Sequence, residues 1–156
     1  MKRATALVLQ LFLGLVAAAH GSGSQAALNA LRKANPSVDW NVTSAKTADF
    51  DCDGKADTAM IGSEKGRAVV GVVWGSSKKH PQILTFPIGT QTQDGFSSQP
   101  ETINVFRLDC KTEDGRLLPG CKTAPECNAF SIPDDETDPF NFYWDSSHGT
   151  LAWWRM

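Results

Sequence analysis

The residues best suited to chemistry form one short segment, residues 49–57, with the sequence DFDCDGKAD. Its four aspartates stand at positions one, three, five and nine, and a glycine stands at position six. Carboxylates held this close together repel one another unless a cation neutralises them. Oxygen ligands on a flexible loop suit Ca²⁺ better than Zn²⁺ or Cu²⁺, and better than the rigidly coordinated Mg²⁺. The segment therefore predicts a calcium site.

The predicted ligands follow from these positions. In calcium loops with this spacing, the first, third, fifth and ninth positions can point to the ion, and the seventh contributes its main-chain oxygen. A glycine at the sixth position allows the sharp turn that the loop requires. The predicted ligands are four aspartate side chains and one carbonyl: Asp49, Asp51, Asp53, Asp57 and the carbonyl of Lys55. The alternative interpretation is an acidic surface turn that binds no ion.

The residues after this segment separate two classes of calcium loop. An EF-hand continues into a helix and supplies an acidic ligand at the twelfth position. Here the twelfth residue is Met60, and residues 58–62 are typical of a strand. The sequence therefore disfavours a helix–loop–helix calcium sensor.

Residues 49–62, DFDCDGKADTAMIG, instead resemble the calcium loop of FG-GAP and VCBS-type repeats, the blades of integrin alpha-subunit propellers. In those repeats a strand precedes the pattern DxDxDGxxD, and a second strand of small and apolar residues follows it. The resemblance implies the same five ligands and covers about fourteen of the 156 residues. The loop occurs once, so a whole propeller and its adhesive function are not implied. The layout is similar to that of a small exported bacterial protein with one such loop.

The first residues have the features of a signal peptide, which we predict to span residues 1–19. Lys2 and Arg3 precede an apolar run, residues 4–16, that is shorter than the ~20 residues a membrane-spanning helix needs. Cleavage after Ala19, or as late as Gly23, would leave residues 24–156 as a single domain. This interpretation, rather than a membrane anchor, predicts a periplasmic or secreted protein.

The charge of the mature chain restricts its partners. Without residues 1–19, 13 Lys and Arg side chains face 17 Asp and Glu side chains, a formal charge of −4. Such a chain has no electrostatic reason to bind nucleic acid or an anionic membrane. The partner that remains is another periplasmic or extracellular protein, and the oligomeric state is left open.

The four cysteines of the chain predict two disulfides. Cys52, Cys110, Cys121 and Cys127 all lie after the predicted signal peptide, and an even number in an exported chain favours disulfide pairing. Zinc binding is the rival interpretation, but the chain contains no CxxC pair. Three pairings are possible, and if all four cysteines pair, one of the last three must join Cys52.

The rest of the chain predicts a mainly β (α+β) fold: an antiparallel β-meander with one short N-terminal helix and disulfide-stapled loops. The helix should begin at Ser24 and end near Asn35, before Pro36. Residues 111–126 are interpreted as an irregular loop, and the acidic residues 133–139 as a solvated one. Apolar alternation predicts strands near residues 38–42, 58–61, 67–74, 82–86, 102–108, 140–144 and 150–155.

Three functions fit these features. The first is an exported calcium-binding protein with a structural or binding role. The second is a periplasmic inhibitor or immunity-type protein that binds a toxin or hydrolase through residues 89–100 and 111–138. The third is a carbohydrate-binding module or carbohydrate-active enzyme that stacks sugars on Trp153, Trp154 or Tyr143. His80 and His148 lie in predicted turns without a catalytic motif, so we predict no catalytic residue and no enzymatic activity.

Overall fold

The computed structural model describes residues 20–76, 78–89 and 94–155, so the predicted signal peptide lies outside the described residues. Within these ranges the chain forms one helix and eight strands, and no helix there is long and apolar enough to cross a membrane. The elements are α1 (His20–Ala34), β1 (Asp39–Ala48), β2 (Asp57–Glu64), β3 (Arg67–Val73), β4 (Gln82–Pro87), β5 (Asn104–Arg107), β6 (Asn128–Ile132), β7 (Phe140–Asp145) and β8 (Thr150–Trp154).

The strands form two antiparallel sheets of four strands each, in the orders β1-β2-β3-β4 and β5-β6-β7-β8. The predicted mainly β fold is therefore confirmed, and each sheet is a meander in which neighbours in sequence are neighbours in space. The single predicted meander is divided because β4 and β5 are not neighbours in a sheet, and the sequence between them, residues 88–103, is rich in polar residues and turn formers.

The main hydrophobic core lies between the two sheets. Val70 of β3 and Phe86 of β4 face Phe130, Phe140 and Phe142 of the second sheet, and all five side chains are buried. The rings of Phe86 and Phe140 meet edge to face with their centroids 5.0 Å apart. Because successive residues of a strand point to opposite faces, the valines of β3 need a second apolar layer on the other side.

Helix α1 supplies that second layer. Leu28 and Leu31 pack with Trp40, Met60 and Val69 on the outer face of the first sheet. The strand predicted at residues 67–74 is thus covered on both faces, with Val70 in the main core and Val69 beneath the helix. The helix begins at His20, earlier than the predicted Ser24, and it ends at Ala34, just before the predicted Asn35.

Strand β6, Asn128–Ile132, was not predicted from the sequence. This strand lies inside residues 111–138, which were interpreted as loops that could contact a partner. Phe130 and Ile132 are completely buried in the main core, so this part of the interpretation is wrong. The strand has only five residues and directly follows a long irregular segment. Its alternation of apolar and polar residues was therefore too short to be recognised.

All four cysteines form disulfides, as predicted. The pairs are Cys52–Cys127 and Cys110–Cys121. The first joins the loop after β1 to the residue before β6, and so links the two sheets covalently. The second closes an eleven-residue separation in the loop between β5 and β6. Two disulfides favour a location outside the cytoplasm.

Candidate metal centre

The acidic loop lies between β1 and β2, the first hairpin of the first sheet. Ala48 pairs with Asp57, so the two ends of the loop are held side by side. Gly54 adopts a left-handed conformation, φ 82°, where the chain turns, as its position in the pattern predicts. The chain leaves the loop as strand β2, which confirms that it is not an EF-hand. Phe50 is buried in the main core and its neighbour Cys52 forms a disulfide, so both side chains are engaged outside the carboxylate cluster.

Three carboxylates of the loop come together. One oxygen each from Asp49, Asp51 and Asp57 lies within 4.8 Å of the other two. Since calcium holds its oxygen ligands at about 2.3–2.6 Å, oxygens on opposite sides of one ion lie about 5 Å apart. The cluster could therefore hold a metal ion. Its donors are carboxylate oxygens, which suit a hard cation.

Asp57 is the most deeply buried member of the cluster, with no exposed surface. Its Oδ2 accepts hydrogen bonds from the amides of Phe50 (2.8 Å) and Asp51 (3.2 Å), and its Oδ1 accepts one from Gly75 (2.7 Å). Burial raises the pKa of this carboxyl to about 6; the amides of Gly75 and Phe50 oppose that rise, and the charge of Asp51 adds to it. A cation bound here would relieve this unfavourable burial of negative charge.

Hydrogen bonds from the loop backbone orient the other carboxylates. Asp49 accepts bonds from the amides of Gly54 (2.8 Å) and Asp53 (3.1 Å), and Asp51 shares the Asp53 amide at 3.1 Å. Asp53 is exposed, and its carboxylate accepts a bond from the Lys55 amide at 3.0 Å. These bonds fix the loop without a ligand. Coordination by Asp53 and by the Lys55 carbonyl stays a prediction.

The connection between β3 and β4 contributes two residues that the sequence analysis missed. Lys79 places its Nζ 2.5 Å from Oδ2 of Asp51, forming an ion pair. Gly75 lies so close to the loop that a Cβ added to it would stand 2.5 Å from the carbonyl oxygen of Ala56. Gly75 and Lys79 therefore form one wall of the site, although neither was among the residues predicted for it.

The second sheet supports the loop from the other side. The amide of Asn128 donates a hydrogen bond of 2.9 Å to the carbonyl of Asp49, directly beside the Cys52–Cys127 disulfide. The ring of Phe50 meets Phe130 of β6 at 5.0 Å. The loop is therefore held by both sheets, although its three converging carboxylates come from one continuous segment.

The remaining candidate residues lie elsewhere. His148 is exposed in the turn between β7 and β8, as predicted, and its Nδ1 lies 2.6 Å from Oδ2 of Asp145. Hydrogen bonds from Ser147 and then His148 hold the pKa of Asp145 far below its usual value. These contacts all lie within the turn between β7 and β8, and they stabilise the conformation of that turn.

The three aromatic residues predicted as a sugar platform are not equally accessible. Tyr143 is buried, and its hydroxyl donates a hydrogen bond of 3.0 Å to the carbonyl of Pro119. Trp154 is half-buried and packs its ring against Tyr143 and Phe106. Trp153, also half-buried, packs against the main core. Tyr143 is therefore unable to stack on a sugar in this structure.

A comparison of the chain with protein-family models, with curated proteins and with solved structures finds no match. The similarity of the loop to FG-GAP and VCBS-type repeats stays a prediction that rests on its own residues.

Proposed function

We propose that this chain is an exported protein that binds one calcium ion through its acidic loop, and that the ion has a structural or binding role rather than a catalytic one. The observation that carries the proposal is the convergence of the Asp49, Asp51 and Asp57 carboxylates. The predicted signal peptide and the two disulfides support export.

The donor chemistry favours calcium over softer metals. The one sulfur in the loop, that of Cys52, is bonded to Cys127 and is not a free thiolate ligand. Oxygen donors on a loop of this kind bind calcium in extracellular modules with dissociation constants of about 10⁻⁴ to 10⁻³ M. Because the loop contacts the β3–β4 connection and β6, an ion bound there would stabilise both sheets together.

Calcium should raise the melting temperature of the protein. With a dissociation constant of about 0.5 mM, 5 mM calcium stabilises the folded state by about 1.4 kcal/mol, or roughly 4 °C for a domain of this size. Differential scanning calorimetry against chelator measures this shift. An unchanged melting curve across millimolar calcium would contradict the proposal.

Two variants test whether the shift comes from the loop. Asp51→Ala and Asp53→Ala should each abolish the calcium-dependent rise, since each removes a predicted ligand. Asp39→Ala is the matched control, because Asp39 is exposed on β1 outside the loop. It should keep the full calcium response.

A second candidate, an inhibitor or immunity-type protein, is favoured by one feature of the Cys110–Cys121 loop. Leu117 is 74% exposed, which is unusual for a large apolar residue. Its position is fixed, because Lys111 pairs with Leu117 and the amide of Thr112 bonds to the carbonyl of Arg116 at 2.9 Å. A preordered loop that presents an apolar side chain suits a protein partner, since little entropy is lost on binding.

A pull-down from a periplasmic extract tests this second candidate. The wild-type protein should capture a partner, and Leu117→Ser should lose it by at least roughly tenfold, the effect of about 1.4 kcal/mol. Val42→Ser is the matched control, because Val42 is 42% exposed on β1. Equal capture by Leu117→Ser and the wild type would rule out this loop as the contact.

A further inference from the structure

A positively charged side chain from another part of the chain already contacts the carboxylate cluster of Asp49, Asp51 and Asp57. The ammonium group of Lys79 lies 2.5 Å from Oδ2 of Asp51, one of the three converging carboxylates. The side chain of Asp51 is completely buried, whereas that of Lys79 is 35% exposed. The lysine therefore approaches from the solvent side and covers this carboxylate.

We propose that Lys79 is a tethered cation that competes with calcium for Asp51, so that the ion binds only when the ammonium group is displaced. This inference rests on the proposed calcium function and names how the same site is regulated. It makes Lys79 a determinant of calcium affinity, although Lys79 is no ligand itself.

Both oxygens of Asp51 are engaged. Oδ1 accepts the amide of Asp53 at 3.1 Å, and Oδ2 accepts the ammonium group of Lys79. A calcium ion bound to Oδ2 at about 2.4 Å would lie within about 5 Å of the Lys79 nitrogen. A divalent and a monovalent cation at that separation, with little water around the buried carboxylate, repel each other strongly. The two cations therefore exclude each other at this oxygen.

The surroundings of Lys79 determine how easily it leaves. Its Nζ lies 4.2 Å from the ring centroid of Trp144 and 5.5 Å from that of Trp74. Both indoles are buried, and cation–π attraction holds the ammonium in place. Its long flexible stem and partial exposure give it a route into solvent. Calcium must overcome the ion pair and the ring contacts together, which lowers its affinity.

A charge-removing variant tests the competition. Lys79→Met keeps most of the aliphatic stem over the rings but removes the ammonium group. Isothermal titration with calcium chloride should show a dissociation constant lowered by roughly tenfold or more. Lys78→Met is the matched control, because Lys78 is an exposed neighbour with the same charge. Its dissociation constant should stay within about twofold of the wild-type value.

Tryptophan emission of the wild-type protein tests displacement directly. When Lys79 leaves the face of Trp144, the emission should change and saturate with the calorimetric titration. The same titration of Lys79→Met should show little change. If the Lys79 charge only repelled calcium from a distance, Lys79→Met would bind calcium more tightly but the tryptophan emission of the wild type would not change. That result would overturn the displacement of Lys79.

The outcomes separate the two proposals. If the wild type binds calcium and Lys79→Met binds it no more tightly, the competition is overturned and the calcium function stands. If neither protein binds calcium, both are overturned. If Lys79→Met does not fold, the tryptophan emission of the wild-type protein decides the question. Unchanged emission at saturating calcium would overturn the proposed displacement of Lys79.

Discussion

Replacing Asp57 by alanine is expected to destabilise the protein by about 2–6 kcal/mol, even when no calcium is present. Asp57 accepts three backbone hydrogen bonds, from Phe50, Asp51 and Gly75. The amides of Phe50 and Asp51 belong to buried residues, so water does not readily replace the lost carboxylate. Each orphaned donor costs about 1–3 kcal/mol, and the loop would lose the contact that closes it.

Urea unfolding in excess chelator measures this effect apart from any metal. Asp53→Ala is the matched control, because it removes a carboxylate from the same loop that is exposed and accepts one hydrogen bond, from Lys55. Its loss of stability in chelator should be much smaller. Equal losses for the two variants would show that Asp57 does not organise the loop.

Replacing Arg155 by alanine should cost about 3–5 kcal/mol, because it would leave the carboxylate of Asp134 buried without a counter-ion. The Arg155 side chain is 4% exposed and that of Asp134 is 1% exposed. The guanidinium also donates to the carbonyls of Asp138 (2.7 Å) and Gly95 (2.8 Å) and lies 4.4 Å from the ring centroid of Phe140. This one residue therefore joins the end of β8 to two loops.

The pH dependence of stability checks this ion pair. Burial alone would raise the pKa of Asp134, but hydrogen bonds from Ser97 and Thr137 and the charge of Arg155 together hold it below the usual value. A depressed folded-state pKa contributes stability that is full above about pH 4 and is lost as the pH falls through the folded pKa. Arg155→Ala should weaken that acid-range dependence. Arg116→Ala breaks an exposed ion pair with Asp114. It should change neither the free energy of unfolding nor its pH dependence measurably.

The candidate metal site could be predicted from the sequence because its three converging carboxylates come from one continuous segment. The spacing of Asp49, Asp51 and Asp57 and the turn at Gly54 are local properties. The engagement of Cys52 with a distant cysteine was likewise predicted, although its partner, Cys127, was not. What lies beside this loop depends on strand register, which is set by turn geometry together with the hydrophobic pattern.

Lys79 shows why the rest of the site was missed. The two strands were predicted at residues 58–61 and 67–74, whereas β2 extends to Glu64 and β3 begins at Arg67, leaving a two-residue turn. That turn pairs Thr58 with Val73, and so brings the residues that follow β3 against the acidic loop. The position of Gly75 beside Ala56 thus depends on the exact length of this turn, which the longer predicted turn did not provide.

The acidic residues 133–139 show a different limit. Two prolines and several carboxylates in a row are typical of a solvated loop, and that interpretation is wrong for Asp134. Its counter-ion, Arg155, stands 21 residues further along the chain, and no local pattern links the two. Burial of a charge is decided by such distant partners.

The Cys52–Cys127 bridge also implies an order of maturation. In a reducing compartment the chain lacks this bond, and the acidic loop is then attached covalently only to its own hairpin. A less ordered loop binds an ion more weakly, because binding must also supply the ordering entropy. For the ion binding proposed above, we therefore expect oxidation to precede ion uptake, and the reduced chain to hold the ion more weakly than the disulfide-bonded one.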